Sequence, residues 1–60
     1  MRAEFTEKSY VIRVSTENDV VRVTIEKPAH GLLLALDLPP TAARAISSAM
    51  MGAAAEVKRG

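Results

Sequence analysis

Arg13 and Arg22 are the residues in this chain best suited to chemistry. They fall in two neighbouring alternating segments, and two guanidiniums on one sheet face would make a clamp for an anion or a phosphate backbone. The competing account is local neutralisation, by Asp37, which the expected register places diagonal to Arg22, and by nearby glutamates. No other Lys/Arg cluster supports nucleic acid as a partner, the chain holds one Tyr and one Phe, and the net charge is +1. Neutralisation is therefore preferred. A small DNA-binding regulator using Arg13 and Arg22 stands as the alternative.

Other reactive side chains are isolated. His30 is the single imidazole and lies beside Gly31, where it reads as a turn residue. Asp37 precedes Leu38-Pro39-Pro40 and reads as the polar end of a strand. Ser47 and Ser48 read as ordinary helix-surface residues. The sequence contains no HExxH, CxxC, phosphate-cradling Gly loop, nucleophile–base pair or paired-carboxylate motif. The expectation is a non-enzymatic protein with no catalytic, cofactor-binding or metal-binding residues and no cofactor.

The elements that would position these residues can be read from hydrophobic period. Ser9 to Ser15 alternates, with Tyr10, Ile12 and Val14 on one face. Val20 to Glu26 alternates with Val21, Val23 and Ile25, and Leu32 to Leu38 with Leu32, Leu34, Leu36 and Leu38. Thr16-Glu17-Asn18-Asp19 and the stretch from Lys27 to Gly31 supply the turns. A four-residue first loop would pair Val14 with Val21 and Ile12 with Val23. The corresponding second register would pair Val23 with Leu34 and Val21 with Leu36. Both gather the large aliphatics on one side, as register selection requires. On the other side they set Arg13 against Arg22, a like-charge pair that is unfavourable in isolation. The same registers align Val11, Thr24 and Leu33 in a partly apolar band. Met1 to Lys8 has a weak period and leaves two readings open: Phe5 tucked in as an anchor, or an extension of the first strand past a phase break.

From Pro39 to Lys58 the chain reads as one helix. Pro40 suits the first helical position, the alanines have high helix propensity, and Lys58 and Arg59 suit the negative end of the dipole before Gly60 ends the chain. At helical spacing Ala42, Ala43, Ile46, Ala49, Met50, Ala53 and Val57 form the face expected to cover the sheet. The opposite side carries the small residues Ala45, Ser48, Gly52 and Ala55, with Met51 and Arg44 beside them. Gly within a helix costs about 1 kcal/mol relative to Ala, so close approach of a second backbone would give Gly52 a reason.

Size points the same way. A chain of 60 residues makes one domain and buries only about 60% of its unfolded surface. Disulfides and metals are the usual remedies, and this chain has no Cys and one His. Oligomerisation is left. The absence of Cys fits a reducing compartment. With no signal-like segment or long apolar run, the expectation is a cytoplasmic protein without a membrane partner.

The string Leu36-Asp-Leu-Pro-Pro-Thr-Ala-Ala-Arg-Ala-Ile-Ser-Ser-Ala-Met50 resembles the strand-to-helix tail of short uncharacterised proteins of actinobacteria and their phages. The resemblance covers the last third of the chain. It implies a stand-alone small protein acting on a host or regulatory protein, and it implies no catalytic residues.

The sequence thus predicts a single α+β domain over residues 1–60, a three-stranded antiparallel β-meander followed by one C-terminal helix packed on one sheet face (βββα). Its expected partners are itself, as a homo-oligomer (dimer or higher), and a host protein. The expected self-association residues are Ala45, Ser48, Met51, Gly52, Ala55 and, on the Leu-rich edge strand, Leu33.

Overall fold

The computed structural model describes residues 1–59. It is an α+β fold, with four antiparallel strands rather than three: β1 (Arg2–Glu7), β2 (Tyr10–Glu17), β3 (Val20–Lys27) and β4 (Gly31–Leu38), followed by helix α1 (Pro40–Arg59). The strands lie in chain order across the sheet, so β1 and β4 are its edges. The expectations for the side chains of Lys58 and Arg59, and for Gly60, lie outside what is described.

The additional strand is the segment from Met1 to Lys8. It neither tucks Phe5 under the sheet as an anchor nor lengthens the next strand. It folds back as a hairpin that pairs Phe5 with Ile12 and Ala3 with Val14. The turn depends on Lys8, which takes a left-handed conformation at φ 54. Residues other than Gly, Asn and Asp rarely do so.

The other two hairpins differ from expectation in register but not in face. Asn18, at φ 55, turns the chain with Asp19 alone, so Glu17 already pairs with Val20. Val14 therefore meets Val23 and Ile12 meets Ile25, a shift of two residues from the expected pairing. In the last hairpin Val21 meets Leu38, Val23 meets Leu36 and Ile25 meets Leu34. Even shifts preserve the side to which each residue points, so the aliphatic face survives.

Leu32 is the exception. An irregularity beside Ile25/Glu26 brings Leu32 opposite Glu26 and removes it from the row of Leu34, Leu36 and Leu38. The loop between β3 and β4 closes on a hydrogen bond from the His30 amide to the Lys27 carbonyl at 2.7 Å, and Gly31 follows at φ 85. His30 is thus a turn residue.

Helix α1 starts at Pro40, and the Ala43 amide donates to the Pro39 carbonyl at 3.0 Å. It lies over the aliphatic face but stands off from it. The helix meets only β3 and β4, sparsely, and among its described side chains only Ala42 and Ala43 are half-buried. Among the described residues none is buried, so the chain has no closed core.

Candidate functional site

Between the helix and the sheet lies an open cleft of about 760 Å³. Its floor is Ile12 and Val14 from β2, Val21 and Val23 from β3, and Leu36 and Leu38 from β4. The helix contributes Ala43, Ile46, Ser47, Met50 and Met51, with Arg44 and Ser48 also lining it and Pro40 at the end where the helix leaves the sheet.

This set corrects the expected orientation of the helix. Ala43, Ile46 and Met50 line the cleft as expected, but Ala42, Ala49, Ala53 and Val57 do not. Met51, assigned to the outer side, shares the cleft with Met50, as do Ser47 and Ser48. Nevertheless Met51 is 72% exposed and Val57 79% exposed. Of the residues expected in self-association, Ser48 and Met51 line the cleft, whereas Ala45, Gly52 and Ala55 are exposed elsewhere on the helix. Leu33 is 52% exposed on β4.

Beyond the cleft the apolar face continues. Phe5, Ile12, Ile25 and Leu34 are register neighbours across all four strands and form one unbroken band. Of these only Ile12 lines the cleft. Phe5 is 58% exposed.

The opposite sheet face carries the charges, and there the expected juxtaposition of Arg13 and Arg22 is not formed. Arg13 pairs in register with Glu4 and Thr24, and Arg22 with Ser15 and Asp37. The band of Val11, Thr24 and Leu33 does not form either, since Val11 meets Glu26 and Thr24 meets Arg13 and Ala35. Each arginine instead bridges two carboxylates. Arg13 donates from Nε to Glu4 at 2.9 Å and from Nη1 to Glu26 at 2.6 Å. Arg22 donates from Nε and Nη2 to Asp37 at 2.8 and 3.2 Å and from Nη1 to Glu17 at 2.8 Å. The bond to Glu26, ahead of that to Glu4, raises the Arg13 pKa, and the bond to Asp37 raises that of Arg22. The same bond holds the Asp37 carboxyl below its ordinary value.

Comparison with family models, with curated proteins and with solved structures finds no match to this chain. Among the described residues, no three His, Cys, Asp or Glu side chains group so as to hold a metal ion. No helix among them is long and apolar enough to cross a membrane. The uncovered apolar surface is the most extensive feature these side chains build. Its signal in the sequence was the surplus of apolar residues on an unstapled short chain. The roles of Ser47 and Phe5 had no such signal, since one is polar and the other lies outside the clear alternation.

Proposed function

We propose that this protein is a small, non-enzymatic, homo-oligomeric protein-interaction module whose core is completed only in the assembly. The observation that carries this is area. The chain exposes 4981 Å², whereas a folded monomer of 6.4 kDa exposes about 3,800 Å² by the usual scaling with mass. The excess is about 1,200 Å² per chain. Two copies hiding it would bury about 2,400 Å², within the range of obligate homodimers.

The resemblance of the C-terminal third to small proteins of actinobacteria and their phages supports a further part of the proposal, that the assembly acts on a host or regulatory protein. A cytoplasmic setting belongs to the same proposal and is supported by the absence of Cys. The DNA-binding alternative draws less support, because Arg13 and Arg22 each already serve two carboxylates of their own sheet.

Light scattering coupled to gel filtration tests the proposal. The expected mass is a multiple of the chain mass, and the denaturation midpoint rises with protein concentration, by about 1.4 kcal/mol of dimer stability per tenfold increase. A folded monomer with a concentration-independent midpoint would refute it. Binding to duplex DNA that weakens steeply with salt would favour the arginine alternative.

A further inference from the structure

We infer that helix α1 of each chain seats on the sheet of a second copy, over the apolar band Phe5–Ile12–Ile25–Leu34 and into the mouth of the cleft beside it. The inference rests on the oligomeric reading above and names the occupant of the uncovered surface.

Three observations select the helix of a second copy. First, α1 runs on past its own cleft. Its 20 residues span about 30 Å at 1.5 Å per residue, and among the described residues none after Met51 lines the cleft. The distal turns, with Ala53 and Val57, are thus available to another chain.

Second, the helix is apolar or small nearly all round. Between Pro40 and Ala55 its only charged residue is Arg44. A helix of this kind belongs in an interior rather than at a surface. Its own cleft takes Ala43, Ile46, Ser47, Met50 and Met51, which leaves Ala49, Ala53 and Val57 outside it and exposed. That row is the complement to an apolar band, and the band of Phe5, Ile25 and Leu34 is the sheet surface its own helix leaves open.

Third, both halves of the contact are on one chain. A two-fold interface requires self-complementarity, in which a surface and the surface that fits it belong to the same subunit. Here the filler and the gap match in kind, and the excess area of two copies reaches what a stable dimer needs. The cleft alone, at about 760 Å³, has the volume of roughly two turns of a helix about 10 Å across.

Cross-linking of mixed copies tests the arrangement. One copy carries Leu34→Cys on the band and the other Ala49→Cys on the uncovered helix row; both are otherwise wild type and distinguishable by a mass tag. A short bismaleimide should join the two different copies in high yield, above either homotypic product. Phe5→Cys replaces Leu34→Cys as a second site on the same band, and far-UV circular dichroism verifies the fold of each variant. An oligomer in which Leu34→Cys joins only to itself would show pairing along the β4 edge. An oligomer giving no mixed product from either band site would place the helix elsewhere. Both results overturn the inference while leaving the oligomeric reading intact. A monomeric mass for the wild-type chain would overturn both.

Discussion

Arg22 grips Asp37 across the β3–β4 pair with two parallel hydrogen bonds, Nε to Oδ1 at 2.8 Å and Nη2 to Oδ2 at 3.2 Å. The two residues are register partners, so the fork of the guanidinium meets the carboxylate directly across the pair. The bond from Arg22 is the largest influence on the Asp37 carboxyl and lowers its pKa; desolvation works against it, and the charge of Arg22 adds to the lowering. A carboxyl with a depressed folded-state pKa contributes stability above its unfolded value, and this is lost as pH falls through the folded value. Asp37→Asn should therefore lower the urea midpoint modestly at neutral pH. The difference from wild type should vanish in acid, below the folded-state pKa of Asp37. A gap that persisted there would mean that the carboxylate charge is not what matters.

Arg13 plays the corresponding part for β1. It ties Glu4 on β1 and Glu26 on β3 to the strand between them. Beyond its pairing with β2 and the bonds between Met1 and Thr16, the edge strand has little burial to hold it, since among its residues only Ala3 is half-buried. Arg13→Gln should speed amide exchange in Arg2–Glu7 well before it affects the β3–β4 pair. Hydrogen exchange read by mass spectrometry distinguishes this from uniform loosening of the sheet.

Gly31 closes the last hairpin at φ 85. Added bulk would meet nothing within 4 Å, so any penalty is one of backbone conformation and not of space. Gly31→Ala should cost about 1–2 kcal/mol, read as a lowered midpoint with the mass in light scattering unchanged from wild type.

Much of this fold is legible from alternation, and what is not legible has identifiable causes. Strict alternation reveals which residues share a face, but it is blind to a slip of two positions, because such a slip exchanges one aliphatic neighbour for another. The loop sets the slip, and Asn18 makes a tighter loop than the four polar residues around it suggest. Electrostatics could have resolved the matter. The longer loop would set Arg13 against Arg22, whereas the observed one places each beside neutral residues and within reach of two carboxylates. By contrast, nothing in Lys8-Ser9 announces a turn, so β1 was hidden. The helix start was plain at Pro40, but its rotation was not, because a helix with small or apolar residues on every side has no single face to present. The oligomer-forming role given to Ala45, Ser48, Met51, Gly52, Ala55 and Leu33 is for the same reason a matter for experiment.

Gly52 offers the sharpest such experiment. A Cβ at this position would meet nothing within 4 Å in the single chain, so no contact inside one copy requires glycine there. In a lone helix Gly52→Ala should then stabilise by about 1 kcal/mol. If instead a second backbone passes close to Gly52, the added methyl intrudes on that contact and the gain is offset. Gly52→Leu extends the logic, because leucine is a good helix former yet too large for a close helix–helix seam. If such a seam passes Gly52, this variant should retain the helical circular dichroism signal while reducing the mass measured by light scattering to that of a single chain. Unchanged mass together with raised stability in both variants would show that the small-residue side of α1 faces solvent in the assembly.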